Sequence, residues 1–265
     1  MLLGCEDASL VDNSSKSLQE YRNIFNELGE DWDAIVNARD TERETSFIQD
    51  VLSKKGTVLD LCCGTGRHSI VMRKHGWSLV GLDLSRNLLA IAKQRMRKEG
   101  VYFPLVRGDM RYFPFRSQVF DFVICMFTSF GYLPSEQEDL KSVREMRRTL
   151  REGGRFLLDV INIDHVIRVF HEREWGEFEP FYMLEKRSLD LQRSMLLSQW
   201  TIIRKDTKEV RQVQHNLRLY NSHRLEKMLG EASFKIEQVY GGYDKKAFNQ
   251  DATRMIILAK KQIAR

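Results

Sequence analysis

The chain has 265 residues, of which 42% are hydrophobic, and its formal net charge is +5. This length suits one large domain or one domain with a sizeable insertion. No apolar run approaches the roughly 20 residues that a membrane span needs, and the short, acidic start at residues 1–7 does not have the pattern of a signal peptide.

The cysteines and the charges narrow the class of protein further. The four cysteines, which show no paired spacing, are Cys5, Cys62, Cys63 and Cys125. We therefore expect buried, reduced thiols and a cytoplasmic location. Basic residues are mostly interleaved with acids, so a nucleic-acid partner is permitted but not required. The six histidines show no metal-ligand spacing, and we expect no metal.

The first 56 residues are predicted to form a tail and a helical lid. Residues 1 to about 16 are polar and aperiodic, whereas residues 18–48 carry apolar side chains at helical spacing. Gly29 is the expected break in this helical stretch, and Gly56 follows its end.

Strands and helices alternate between residues 57 and 161. The predicted strands are Thr57–Leu61, Ser78–Leu82, Phe103–Arg107, Phe120–Met126 and Arg155–Ile161. The first intervening helix begins at Arg67, Ser85 caps the second, and Ser135 opens the third with capping-box spacing to Glu138. This alternation predicts a parallel sheet with right-handed crossovers.

The alternation stops after residue 161, where an insertion is predicted. A short helix around residues 164–170 precedes three strand-like runs, at residues 181–189, 195–203 and 210–220. Residues 162–221 are therefore predicted to be an inserted antiparallel β subdomain that binds substrate or joins subunits, because an exposed ribbon edge could pair with a second copy.

Residues 222–265 are predicted to complete the unit that begins at residue 57. Ser222 is the expected cap of the last helix, and Lys235–Tyr240 and Arg254–Lys260 form the expected closing antiparallel pair. The predicted core is therefore residues 57–161 together with residues 222–265.

The turn after the first strand indicates a nucleotide site. Asp60 is followed by Gly64 and Gly66, and glycine permits positive φ and close backbone approach, while a helix N-terminus presents free N–H groups. Ser69 replaces the last glycine of the dinucleotide fingerprint, which argues against a dehydrogenase. Because the negative charge of Asp60 would repel a pyrophosphate, a ligand with a cationic or zwitterionic part fits this turn better.

Residues 60–66, followed by Asp83 and by Gly108-Asp109-Met110, resemble the pattern of class I S-adenosylmethionine-dependent methyltransferases. The resemblance covers residues 57–161 and 222–261. It implies an α/β fold with a Rossmann-like, doubly wound, mostly parallel seven-stranded sheet and an antiparallel insertion after the fifth strand. It also implies S-adenosyl-L-methionine as the cofactor.

The resemblance implies a role for several side chains. Asp60 would contact the amine of the cofactor and Asp83 its ribose hydroxyls, to which a carboxylate can offer a charge-assisted pair of bonds. Asp109 would accept the adenine amino group and Met110 would pack on the ring. The candidate cofactor-binding residues are Asp60, Cys62, Gly64, Gly66, Asp83, Leu84, Asp109, Met110, Cys125 and Arg39.

The acceptor region, residues 125–133, lacks Asn-Pro-Pro-Tyr, the signature of many amino-group methyltransferases that act on nucleobases or protein glutamine. It also lacks the Pro-Cys nucleophile of cytosine-C5 methyltransferases. It resembles instead the amino-sugar and glycine-type small-molecule N-methyltransferases, some of which have His where this chain has Tyr132. Tyr132, Tyr21 and His165 are candidates for positioning the substrate. Because a hydroxyl acceptor needs a base and none is evident, SN2 transfer to an amine nitrogen is favoured. An RNA or protein methyltransferase and a non-catalytic cofactor-binding protein remain alternatives.

Overall fold

A computed structural model describes residues 24–37 and 40–263 of the chain. Residues 24–28 are helical, and Gly29 turns the chain with a φ of 46°. The helices that follow are α1 (Glu30–Asn37), α2 (Thr41–Leu52), α3 (Arg67–Lys74), α4 (Arg86–Lys98), α5 (Glu136–Thr149), α6 (Ile163–Arg168) and α7 (Ser222–Glu231). None of these helices is long and apolar enough to cross a membrane, within the described ranges.

The described residues form eleven strands, which belong to two sheets. The strands are β1 (Thr57–Leu61), β2 (Ser78–Asp83), β3 (Leu105–Arg107), β4 (Phe120–Cys125), β5 (Leu150–Ile161), β6 (Arg173–Phe178), β7 (Phe181–Asp190), β8 (Met195–Arg204), β9 (Val210–Arg218), β10 (Phe234–Tyr240) and β11 (Arg254–Lys261). The larger sheet has seven strands in the order β10-β11-β5-β4-β1-β2-β3, and the smaller has β6 to β9 in sequence order.

The seven-stranded sheet has the predicted Rossmann-like arrangement. Strands β1 to β5 run parallel, and β11 pairs antiparallel with both β5 and β10. The strand order reverses between β1 and β4, and ligands of open α/β sheets bind outside the carboxyl ends of the strands at such a switch point. Continuous burial of β1 and β4 explains their apolar runs, because helices cover both faces.

Hydrogen-bonding side chains fix most helix starts where the sequence predicts them. Ser85 accepts a bond from the Leu88 N–H, and Ser135 accepts one from the Glu138 N–H. The Glu138 side chain, however, bonds Arg111 and does not complete a capping box. The predicted cap at Ser222 was wrong: Asn221 accepts the Arg224 N–H instead.

Several predicted boundaries also differ from the structure. Strand β5 begins at Leu150, so Gly153 and Gly154 lie within the strand rather than in a turn before it. The chain also starts a new helix at Thr41, because the Asp40 side chain caps α2. Strand β6 was not predicted from sequence; it is an edge strand with little burial, and it pairs antiparallel with β7.

The inserted sheet packs on the N-terminal helical segment, residues 24–37. Phe181, Ile202 and Val213 from the sheet form a buried cluster with Ile24 and Leu28. A second cluster joins the sheet to α6. Sheet, N-terminal segment and α6 therefore form a layer above the carboxyl ends of the parallel strands.

Candidate active site

The turn between β1 and α3 lies at the switch point of the sheet. Gly64 and Gly66 have φ values of 54° and 74°, which side-chain-bearing residues adopt only with strain. Gly66 is the residue before α3, and a Cβ there would lie 3.4 Å from the Cβ of Ala92. The glycines therefore keep this turn close against α4.

Asp83, at the end of β2, is tied to this turn. Its Oδ2 accepts the Gly64 N–H at 2.8 Å, and its Oδ1 accepts the Ser85 N–H at 2.8 Å. Burial raises the pKa of Asp83 to about 6, although these backbone bonds oppose the rise, and nearby Asp60 adds to it. The carboxylate is held rigidly at the switch point.

Asp60, at the end of β1, is a second buried carboxyl group. Its Oδ2 accepts the Ser69 hydroxyl at 2.6 Å, and burial raises its pKa despite the charges of nearby His68 and Arg67. Neither Asp60 nor Asp83 forms an ion pair with a described residue. Two buried carboxylates without a bonded cation favour a ligand that carries positive charge.

Arg67, the first residue of α3, places an incompletely bonded guanidinium beside the turn. Its Nη1 lies 2.5 Å from Glu44 and donates to the Thr41 hydroxyl at 3.1 Å. Its Nη2 is buried and has no hydrogen-bond partner among the described residues. A guanidinium with a spare donor fits a ligand carboxylate, so a zwitterion with a cationic and a carboxylate part matches this turn.

His68 lies next to Arg67 and bonds away from the turn. Its Nε2 is 2.7 Å from Glu44. Burial alone would raise the pKa of Glu44, but the His68 bond and the Arg67 charge lower it. His68 thus supports the loop through Glu44.

Two small cavities, of about 60 and 40 Å³, border this turn. They are narrow because Phe25 and Trp32 of the N-terminal segment pack into the space. Asn26 fastens the same segment to the core: its Oδ1 accepts the Ser85 hydroxyl at 2.8 Å, and its carbonyl accepts the Asn87 amide at 2.8 Å. Pockets that bury a whole cofactor-sized ligand are typically ~300–1,000 Å³, so binding requires this segment to shift.

Comparison with known proteins agrees with this geometry. Residues 58–154 match the family model described as a methyltransferase domain. This segment of the chain is therefore similar to methyltransferase domains. Asp60, the glycine turn and Asp83 all lie inside the matched segment.

Three similar proteins extend the comparison. Glycine/sarcosine N-methyltransferase of Parasynechococcus marenigrum (strain WH8102) is 32% identical over 171 residues, which are 61% of this chain and 60% of that protein. The chain thus spans three fifths of that relative's length.

Two solved structures share the fold over most of the chain. An S-adenosylmethionine-dependent methyltransferase from Clostridium acetobutylicum ATCC 824 has a TM-score of 0.78 and 19% identity, covering 90% of this chain and 99% of its own. The sugar N-methyltransferase KedS8 from Streptoalloteichus sp ATCC 53650 has a TM-score of 0.69 and 20% identity, covering 99% of both chains.

A larger cavity of about 730 Å³ opens on the other side of Trp32. The inserted sheet, the N-terminal segment and the loops after β4 and β10 enclose it. Its aromatic wall consists of Trp32, Phe127, Tyr132, Phe178 and Trp200. Trp32, Phe127 and Tyr132 also border the small cavities, so these three rings separate the glycine turn from the larger cavity.

The predicted substrate-positioning residues Tyr132 and His165 both line the larger cavity. Burial, and then the charge of Glu185, raises the pKa of Tyr132, which keeps it a neutral phenol. Its ring packs edge-on against Phe25 at 5.4 Å. His165 lies on α6. Tyr21, the third candidate, lies outside the described residues, as does the cofactor candidate Arg39.

The structure brings together five of the predicted cofactor residues. Those that line the small cavities are Asp60, Cys62, Gly64, Asp83 and Leu84. Cys125, Met110 and Asp109 do not line these cavities. Cys125 is fully buried behind Cys62, and Met110 is buried in the hydrophobic core. Asp109 lies beside Met110, and both of its oxygens accept bonds from Arg111.

Several residues of the site carry no sequence motif. Arg67 was predicted only as a helix start and Trp32 only as one apolar position of the helical stretch, whereas Phe127 lies in the predicted acceptor region without an assigned role. Glu185, which lines the larger cavity, lies in the insertion, where the sequence offers composition without pattern. The role of Arg67 could have been predicted from its position. Arg67 directly follows the second glycine of the turn and is the first residue of α3.

Proposed function

We propose that this protein transfers a methyl group from S-adenosylmethionine to an amine nitrogen of a small molecule. The observation that carries the proposal is the aromatic-walled cavity of about 730 Å³, which meets the glycine turn at Trp32, Phe127 and Tyr132. Its size is that of a small-molecule pocket.

The turn residues would hold the cofactor, which supplies an already activated methyl group when bound. Asp83 would accept hydrogen bonds from its ribose hydroxyls, Asp60 would face its amine, and Arg67 would bind its carboxylate. Asp109 would reach the adenine amino group only by sharing its oxygens with Arg111. The raised pKa of Asp60 and of Asp83 supports these roles, since a cationic ligand relieves the cost of two buried carboxylates.

We assign the N-terminal residues 1–56 as a tail and a helical lid of this site. The described part of this segment already contacts the glycine turn through Phe25 and Trp32 and bonds the β2 end through Asn26. Ion pairs from Arg204 and Arg211 join Asp31 of the same segment to the inserted sheet. Opening at the core side would admit the cofactor while the sheet side stays bound.

The inserted residues 162–221 would form the acceptor side of the cavity, and residues 57–161 with 222–265 the cofactor side. Alignment and removal of water are then the main tasks of the protein, because the methyl group needs little further activation. Tyr132 is a neutral phenol and cannot serve as a strong base, which supports an amine over a hydroxyl acceptor.

A small acceptor is favoured over a macromolecule because the inserted sheet and the lid enclose the cavity. The similarity to a glycine/sarcosine N-methyltransferase and to a sugar N-methyltransferase supports nitrogen as the acceptor atom.

Transfer of tritium from methyl-labelled S-adenosylmethionine tests the proposal. The panel pairs amines with their hydroxyl analogues (glycine with glycolate, glucosamine with glucose, benzylamine with benzyl alcohol) and includes bulk tRNA and a protein extract. We expect label in small amines only. Label in tRNA or protein alone would contradict the small-molecule assignment, and label in hydroxyl analogues alone would contradict the choice of nitrogen.

A further inference from the structure

Glu185 lies on the inner face of the inserted sheet, at the centre of the acceptor side of the cavity. Alternate residues of β7 point inward, and three successive inward positions, Met183, Glu185 and Arg187, line the cavity. A carboxylate at an inward, partly buried position of a strand needs a physical reason.

The carboxylate of Glu185 is held in place but has spare acceptor capacity. Its Oε1 accepts the indole N–H of Trp200, its cross-strand neighbour, at 2.9 Å. Its Oε2 lies 3.8 Å from the Nε of Arg187, beyond hydrogen-bond distance, and accepts no hydrogen bond from any residue in the described ranges. Arg187 is itself engaged by Glu174 at 2.7 Å and by the His171 carbonyl.

The other strongly buried charges of the cavity wall are already paired. Glu44 bonds Arg67 and His68, and Arg254 donates to Asp159 at 2.8 Å. A cation that enters the cavity therefore finds its open acceptor at Glu185.

Aromatic rings surround this acceptor. Trp200 stacks on Trp32 with an interplanar angle of 14°, and His215 packs edge-on against Trp200 at 4.4 Å between centroids. Burial lowers the pKa of His215 to about 4, so the ring is neutral and adds no repelling charge. Aromatic faces attract ammonium groups, which strengthens the preference for a cation.

We propose that Glu185 binds the acceptor through its amine, accepting a hydrogen bond from the protonated nitrogen at Oε2. The acceptor is then a small molecule that carries an aliphatic ammonium group. This inference rests on the proposed function, whose acceptor site it specifies, and it concerns binding before proton loss and methyl transfer.

Equilibrium binding to protein saturated with S-adenosylhomocysteine tests this role without turnover. The probes are benzylamine, which is protonated at pH 7.5, and benzyl alcohol, which has nearly the same shape. Isothermal titration or ligand-observed NMR gives both dissociation constants. For a charge-assisted bond we expect benzylamine to bind at least about tenfold more tightly than benzyl alcohol.

Two variants assign the preference to Glu185. Glu185→Gln keeps an oxygen for Trp200 but removes the charge, and it should reduce the preference to within about threefold while S-adenosylhomocysteine binds as before. Glu177→Gln is the matched control, since Glu177 lies on the same sheet and bonds Lys205 away from the cavity. It should retain the full preference.

The proposal is overturned if wild-type protein does not prefer benzylamine, or if the preference survives in Glu185→Gln. Thermal unfolding of each variant confirms the fold, and Glu185→Asp, which keeps the charge, should retain part of the preference. Failure of the proposed function would look different: no amine would be methylated, whatever the outcome of these titrations.

Discussion

Replacing Asp83 with Asn should separate cofactor binding from folding. Asp83 is buried, and its pKa rises from 3.8 to about 6 in the folded protein, chiefly through burial. The native state therefore binds more protons than the unfolded state between these two values. The free energy of unfolding falls as the pH rises through that window, and ionised Asp83 costs about 3 kcal/mol at neutral pH, at about 1.4 kcal/mol per pKa unit.

The Asn variant removes this cost but also loses a contact. Its single oxygen can accept the N–H of Gly64 or of Ser85, not both, and a hydrogen bond to a charged group contributes about 1.5–3 kcal/mol. The two effects nearly cancel. We expect the free energy of unfolding at pH 7 to change by less than about 1.5 kcal/mol, and the pH dependence between 4 and 6 to weaken.

Cofactor affinity should respond much more strongly. Loss of two charge-assisted bonds to ribose hydroxyls, at about 1.5 kcal/mol each, weakens binding by about 150-fold. Isothermal titration with S-adenosylhomocysteine measures this loss, and denaturant unfolding measures stability in the same preparation. Asp121→Asn is the control, because Asp121 also accepts a backbone N–H, that of Thr57, but at the far end of the sheet. An Asp83→Asn protein that binds as tightly as wild type would refute the assignment.

Four further substitutions test packing and the site. Trp32→Ala should weaken acceptor binding by about tenfold or more, since Trp32 belongs to the aromatic wall of the larger cavity, and titration with benzylamine in the presence of S-adenosylhomocysteine checks this. Gly131→Ala should destabilise the fold by about 2 kcal/mol or more in chemical denaturation, because the φ of Gly131 is 105° and a Cβ there would lie 2.4 Å from the Arg218 carbonyl oxygen. Gly230→Ala should instead stabilise the fold by up to about 1 kcal/mol in the same assay, because a Cβ at Gly230 would meet open space. Asp139→Asn should lower the free energy of unfolding by about 3–5 kcal/mol, because it leaves the buried Arg218 charge without its carboxylate partner at 2.7 Å. A loss below about 1 kcal/mol would show that the ion pair is not needed for stability.

The fold was predictable where local chemistry determines it. Ser85 and Ser135 cap their helices as expected, and the positive φ of Gly64 and Gly66 explains why glycine stands at both positions. Alternating strands and helices leave few topologies for the sheet. The edge strand β6 escaped prediction because it buries little and therefore carries no strong alternation.

The cofactor end of the site was more predictable than the acceptor end. Asp60 and Asp83 end their strands, and parallel strands place their ends together. The pairing of Asp109 with Arg111 could not be read from spacing alone, because it depends on how the loop after β3 turns. Arg39 and Tyr21 lie outside the described residues, and their roles stay predictions.

The acceptor cavity depends on contacts between distant parts of the chain. Trp32 and Trp200 are far apart in sequence and stack only because the inserted sheet folds onto the N-terminal segment. Glu185 becomes conspicuous only when its inward position on β7 and its bond to Trp200 are known. No single stretch of sequence records such an arrangement.

Calorimetric titration of the purified protein with S-adenosylmethionine and with S-adenosylhomocysteine, alongside NAD, tests the central claim most directly. We predict saturable one-site binding of both compounds and no response to NAD, because the turn offers two buried carboxylates and Ser69 where a dinucleotide site has glycine. Absence of binding by folded protein that carries no retained ligand, or saturable binding of NAD, would contradict the account.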